Sequence, residues 1–426
     1  MAIVIVLTFL SLLIIGLPIA FVIGLTSLII IRIQGTMPLN AIPEYMFFGI
    51  DSFPLMAIPF FILAGEIMTE TGLSKRLIHF AQVLVGRIPG ALAQVNILTS
   101  IFFAGITGAA VADTAAIGSI MIPAMGEEGY SAKYSAAVTA ASSCIGPIIP
   151  PSIILVVYGV AANTSISSLL LAGIIPGIIM GIAMAIIAYF QAVKYKFPKI
   201  EETLNLLLLA SAFWKAIPAL LMPIIIIGGI LGGVFTPTEA ACVAVVYSTA
   251  LGFITKTLKF KKIPSICIRA SVTTSIVLFI ISAAKFFSII LIINDIPFQV
   301  THFFLSLSNN PLLIIFFINI LLLLVGCVME ISAACVILVP ILLPVVTQIG
   351  LNPVHFGMIM CVNLAIGLAT PPVGPTLFVA CRIARISIEE ITEAIWPFLL
   401  ALVSALLLIT YFPDLTMFLP NLFLRH

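Results

Sequence analysis

Long apolar runs, broken by short polar loops, set the pattern of this chain. The runs near residues 2–31, 54–68, 169–193, 213–233, 237–255, 270–293 and 392–412 carry almost no charge. A helix needs about 20 apolar residues to cross a bilayer, so each run predicts a transmembrane helix. Two further regions, roughly 91–162 and 311–383, are as apolar but are interrupted by Gly, Pro, Ser, Thr and single acids. Segments within them bring the expected total to about ten to twelve membrane-crossing or re-entrant pieces. Backbone polar groups in lipid must be satisfied internally, which leaves helices or a closed barrel. The runs are continuous rather than alternating, which excludes a barrel. The expected fold class is an all-α polytopic membrane protein, with the N-terminal run as a first span rather than a cleaved signal.

Composition agrees with the pattern. The 426 residues are 62% hydrophobic and 8% charged. A soluble domain runs near a quarter charged, so a water-facing surface is excluded, and so is disorder. The outer surface faces lipid. The net charge of +2 gives no reason to expect a nucleic-acid partner. Lysines cluster at 194, 196 and 199 and at 256, 259, 261 and 262, flanking one pair of spans. The positive-inside rule makes that side cytoplasmic. Seven scattered cysteines form no CxxC pair, so neither a disulfide framework nor a zinc site is expected. Signatures of a Walker phosphate loop, a zinc protease, a serine hydrolase, a potassium filter and a voltage sensor are all missing. An enzyme is not expected. Ion-coupled transport leads, against a channel or membrane scaffold without coupled flux.

The two interrupted regions resemble each other. GAAVADTAAIGSIMIP at Gly108–Pro123 matches GCVMEISAACVILVP at Gly326–Pro340 after a slide of 217 residues, which puts Asp113 on Glu330. GPIIPP at Gly146–Pro151 matches GLATPP at Gly367–Pro372 after a slide of 221. A Pro-Pro pair removes two amide donors, so each helix must break there. Broken ends at membrane depth are tolerated where they line a cavity or meet an ion. Paired interrupted segments in corresponding halves point to the central site of a secondary transporter.

An ionised carboxylate at membrane depth costs about 3 kcal/mol unless it is compensated. Asp113 and Glu330 are therefore either parts of a cation site or capping acids that brace the hairpin tips. Lys285 sits in an apolar run and must snorkel, find a carboxylate or face a polar cavity. Glu239 follows Thr236 and Pro237, the signature of a helix start.

Five strings, PFFILAGEIM, GITGAAVADTAAIGSIMIPAM, GPIIPPS, GGVFTPTEAA and ATPPVGPTLF, together resemble the large membrane subunit of the tripartite ATP-independent periplasmic (TRAP) transporters. The similarity runs in order along essentially the whole chain. The resemblance implies an inverted-repeat transport domain with two re-entrant hairpins and two discontinuous helices, moving as an elevator against a scaffold. It implies scaffold helices at 1–75, a first transport repeat at 76–165, scaffold and connecting arms at 166–295, a second repeat at 296–390 and a C-terminal helix at 391–426. It further implies sodium-coupled import of a small organic acid, such as a C4-dicarboxylate or sialic acid, across the bacterial inner membrane. The partners implied are a separate small four-helix membrane subunit and a periplasmic substrate-binding protein. A stand-alone sodium-coupled carrier of the related inverted-hairpin type is the alternative. Carried onto this sequence, a first sodium site falls on Gly105, Thr107, Asp113, Ser142, Ser143, Gly146 and Pro147. A second falls on Gly326, Glu330, Ser332, Thr370, Pro371, Gly374 and Thr376. The substrate is expected between the hairpin tips, near Thr107, Gly108 and Ser332; the apolar run itself makes Lys285 a candidate substrate contact, against an interfacial or subunit-facing lysine. Backbone carbonyls and hydroxyls suit a hard cation.

Overall fold

In the computed structural model, residues 1–35, 37–198, 206–308 and 310–424 are described. Every regular element among them is helical. The chain opens with α1 (Ala2–Ile14), α2 (Ile19–Gln34), α3 (Ala41–Ile50), α4 (Ala57–Glu70) and α5 (Leu73–Val85). There follow α6 (Ala91–Thr107), α7 (Ala110–Glu127), α8 (Ala132–Ser142), α9 (Ile153–Ala161), α10 (Ile166–Ala172) and α11 (Ile174–Tyr195). The middle holds α12 (Leu206–Leu231), α13 (Pro237–Ile254), α14 (Ile263–Ile293) and α15 (Ile296–Leu307). The last part holds α16 (Pro311–Gly326), α17 (Ile331–Gln348), α18 (Pro353–Gly367), α19 (Pro375–Ala384), α20 (Ile388–Tyr411) and α21 (Asp414–Phe423).

Among the described residues, seven helical stretches are long and apolar enough to cross a membrane, and seven shorter helices are apolar. The chain is a multi-pass membrane protein. Six of the seven expected spans appear near their predicted places. The expected run 2–31 does not stay whole. Gly16 takes a positive φ of 86° and Pro18 supplies no amide, so α1 stops and α2 starts anew. The seventh long span is instead α17, the second leg of a hairpin.

Two sets of mutually packed helices stand out, joined to each other where α5 and α4 pack on α6 and where α14 and α15 pack on α17. Helices α2, α3, α4, α13 and α14 pack on one another, and α12 lies along α5 and α13. An ion network closes this group at one end: Arg269 Nε reaches Glu66 at 2.8 Å, Arg269 Nη2 reaches Glu70 at 3.4 Å, and Lys262 also pairs with Glu70. Helix α13 begins as the sequence predicts, with Thr236 and Glu239 in a reciprocal cap. The second group is built from α6–α11 and α16–α20. The half-helix beyond each break packs on the other repeat: α9 lies on α17, and α19 lies on α7 and α8.

Helix boundaries in the two regions correspond, but at a register other than the 217-residue slide of the hairpin strings. A slide of 221 carries Ala110 onto Ile331, Glu127 onto Gln348, Ala132 onto Pro353 and Gly146 onto Gly367. The helix-interior Pro123 then meets Pro344. Asp113 meets Ala334, and Glu330 meets Ala109. The hairpin strings had matched one helical turn out of register, because small apolar residues recur at that spacing.

Candidate functional site

Helix α6 ends where Gly108 adopts a φ of 61°, and Ala109 is extended, so α7 folds back as the second leg of a hairpin. Gly108 packs on the first break: a side chain there would place its Cβ 2.5 Å from the Pro151 carbonyl oxygen. Asp113 lies in the first turn of α7, where the helix dipole favours an acid. It is fully buried. Thr107 Oγ donates to Asp113 Oδ1, while Oδ2 has no partner among the described residues. Gly146 in the break faces that open oxygen. A Cβ at Gly146 would strike it and would sit 3.1 Å from the Ser143 carbonyl oxygen. Pro147 and Ser152 close the break, with Ser152 Oγ donating to the Pro147 carbonyl. Thus Thr107, Gly108, Asp113, Gly146 and Pro147 converge. Gly105 lies one turn back, against Pro223 of α12 and the Pro150 carbonyl.

Ser142 and Ser143 face elsewhere. Ser142 Oγ meets Ser100 Oγ at 2.9 Å, and Ser143 Oγ donates to the Thr139 carbonyl at 2.8 Å. Asn96 Nδ2 donates to Thr139 Oγ at 2.6 Å. These groups tie α6 to α8.

The second hairpin is built differently. Glu330 is the N-cap of α17, accepting from Ser332 N at 2.8 Å and Ala333 N at 3.0 Å, and from Ser332 Oγ at 3.1 Å. Both of its carboxylate oxygens are occupied in bracing the tip, and the residue is exposed. Gly326 packs backbone to backbone on Gly367. Thr370 donates to the Ile366 carbonyl at 2.8 Å and lies beside Cys327. Thr376 Oγ and N both donate to the Leu368 carbonyl, at 2.8 and 3.1 Å. Gly374 sits over the same carbonyl, and Pro371 belongs to a cis Pro-Pro pair matched by Pro150-Pro151. The two breaks touch, with Cys144 against the Ala369 backbone.

Sequence reasoning passed over a second layer. Asn363 Nδ2 donates to Asn319 Oδ1 at 2.7 Å, tying α18 to α16 as Ser142 and Ser100 tie α8 to α6. Asn363 Oδ1 is buried with no partner among the described residues. The signal available was a buried amide within an apolar run. Lys285 does not join the hairpin tips. It lines a separate cavity of about 240 Å³ against α9 and α17. Among the described residues no three His, Cys, Asp or Glu come together, and the groups that do converge are oxygens.

The chain matches the family model described as "Tripartite ATP-independent periplasmic transporter, DctM component" over residues 6–415. It is 44% identical to the uncharacterized protein YgiK of Salmonella typhimurium, covering 98% of this chain and 96% of that one. It is 43% identical to the isethionate TRAP transporter permease protein DctMQ of Oleidesulfovibrio alaskensis, covering 95% of this chain but 64% of that longer protein. It is 35% identical to the C4-dicarboxylate TRAP transporter large permease protein DctM of Rhodobacter capsulatus, covering 97% of each. In three dimensions it resembles the Alcanivorax borkumensis YdaH transporter, with a TM-score of 0.63 at 13% identity over 90% of this chain and 89% of that one. That likeness concerns the fold. This chain is a transporter subunit rather than an enzyme, and it belongs to the DctM component of the tripartite ATP-independent periplasmic transporter family.

Proposed function

We propose that this chain carries a small organic acid across the bacterial inner membrane, driven by sodium. It would receive the acid from a periplasmic binding protein and work beside a small membrane subunit. The relative named DctMQ is longer, with this chain spanning 64% of it, and the remaining length supports a partner subunit. The observation that carries the sodium reading is Asp113. A buried carboxylate with one oxygen bonded and the other open is costly alone, and a cation beside it removes most of that cost. Asp113 Oδ2 and carbonyls of the first break would hold the ion, with Thr107 fixing the carboxylate. Gly146 leaves the room that a side chain would fill. The second position would rest on Gly326, Thr370 and neutral oxygens, since Glu330 is taken up in its cap.

The hairpins are read as re-entrant, entering from opposite faces. The support is a set of contacts. Lys133 at the start of α8 pairs with Glu393 at the start of α20, at 3.0 Å. Tyr411 at the far end of α20 reaches Leu312 at the start of α16, and Tyr158 near the end of α9 reaches Pro353 at the start of α18. We place α10, α11 and α20 with the moving body of an elevator, because they pack on α6, α8 and α18. The sequence boundaries at 166 and 391 had assigned them elsewhere. Binding at Asp113 would order the hairpin and the break together, which couples ion and acid reciprocally.

The test is uptake of labelled acids by proteoliposomes holding the chain and its small subunit, with the binding protein outside and a sodium gradient. Uptake that needs all three proteins and sodium is the expected result. Uptake indifferent to sodium refutes the coupling, and uptake without the binding protein favours a stand-alone carrier.

A further inference from the structure

Lys285 is the one charged residue between 270 and 294 on a helix that is otherwise uncharged and mostly apolar there. Its side chain is exposed, and a charge within an apolar membrane segment requires compensation. Among the described residues, no carboxylate reaches it. Its stem is held in place, because Gly49 of α3 leaves only the room that the lysine uses. A Cβ at Gly49 would lie 2.6 Å from Lys285 Cβ and 3.1 Å from its Cγ. Ser282, three residues earlier, donates to the Met46 carbonyl at 2.8 Å and locks α14 onto α3.

The cavity lined by Lys285 has about 240 Å³, against the roughly 30 Å³ that one water occupies in the liquid. It therefore has room for a small solute. On the side of α3 and α14 the polar groups are Lys285, Ser288 and Ser52, set among Phe48, Leu55 and Ile281, and the residues from α9 and α17 are aliphatic, Val157, Val336 and Pro340 among them. The two sides belong to different groups of helices. The first sits on α14 and the segment after α3, and the second on α9 and α17. Val157 is little more than one turn beyond Ser152 of the first break, and Val336 one turn beyond Ser332 of the second hairpin. A few polar groups on an apolar cavity are the means by which pockets orient small ligands.

We propose that Lys285 binds the oxyanion end of a small carboxylate or sulfonate in this cavity, while the carbon part of the acid lies on α9 and α17. This inference rests on the reading that the chain carries organic acids, and it places one contact on the fixed helices rather than on the hairpin tips. The bound acid then bridges the two groups of helices, and the ammonium is compensated by the cargo itself. An acid of few carbons fits the volume.

The test separates charge attraction from transport. In the reconstituted complex, Ser288→Cys places a thiol in the cavity, with the parent chain as the blank for the native cysteines. Its rates with a sulfonate-bearing methanethiosulfonate and with neutral methyl methanethiosulfonate are compared. Replacing Lys285 by Met should lower the anionic-to-neutral rate ratio about fivefold, the effect of one charge at about 4 Å in watery surroundings. Lys285→Arg should keep the ratio, and succinate or isethionate should slow the reaction only when residue 285 is cationic. An unchanged ratio in Lys285→Met overturns the proposal, and points to a lysine that serves lipid or a partner subunit. If the ratio behaves as expected but the parent complex moves no acid, the transport reading fails and this site stands.

Discussion

The contact between Gly326 and Gly367 allows the second hairpin to be tested sharply. An alanine at 367 would put its Cβ 2.5 Å from Gly326 Cα and 2.6 Å from the Gly326 carbonyl oxygen. Apolar atoms settle at about 3.5–4.0 Å, so α16 must retreat from α18 by about 1 Å. The obstructing atoms are backbone, so no rotamer relieves them. Overpacking of this kind costs about 1–3 kcal/mol. Gly126 is the control. It lies on α7 with nothing within 4 Å of an added Cβ, so alanine there should gain about 1 kcal/mol through helix propensity. Melting of the purified protein should therefore move down for Gly367→Ala and up for Gly126→Ala. The retreat also parts Cys327 from Thr370, so sodium activation of uptake should need about tenfold more sodium, equivalent to about 1.4 kcal/mol. A Gly367→Ala protein that melts with the control and keeps its sodium response refutes the reasoning.

Asp113→Asn keeps the size of the side chain and removes the buried charge. It should abolish sodium activation of uptake while leaving the melting temperature equal or higher, because an unpaired buried carboxylate is costly. Glu330→Ala should do the opposite: about 1 kcal/mol of stability is lost with the cap on Ser332 and Ala333, and uptake keeps its sodium dependence. Arg269→Ala removes two of the three contacts of an exposed ion network and leaves Lys262–Glu70, so stability should change by no more than about 1 kcal/mol, and the difference should vanish in high salt.

Backbone disruption was legible in the sequence because it is local. Pro150-Pro151 and Pro371-Pro372 each deny two amides, and no tertiary context restores them. The capping acid at Glu239 was legible for the same reason. Glu330 and Asp113 were harder, since both are single acids among small residues. Their difference is fixed by one turn of helix: Glu330 stands before α17 and caps it, while Asp113 stands inside α7 and cannot. That turn is the one by which the matched strings were misaligned. The resemblance placed Ser142 and Ser143 at an ion site, and their hydroxyls turn toward Ser100 and the Thr139 carbonyl. Sequence spacing does not carry that direction. Lys285 was visible as a charge in an apolar run, but its cavity is made by α3, α9 and α17, which are remote in sequence.

The two repeats thus share a backbone and differ in charge. At the 221-residue register, Asp113 corresponds to Ala334, which is fully buried and carries no charge. Under the elevator reading proposed above, the moving body returns empty after each delivery. Each uncompensated carboxylate in the empty body costs about 3 kcal/mol at membrane depth. One acid is enough to select a cation, and a second in the matching position would add that cost to the empty state alone. Net uptake includes the empty return, whereas exchange of labelled for unlabelled acid returns the body loaded. Ala334→Asp should therefore slow net uptake more than exchange. Equal loss in both assays would mean that the substitution damages packing at a buried position, and that charge asymmetry between the repeats has no part in the return.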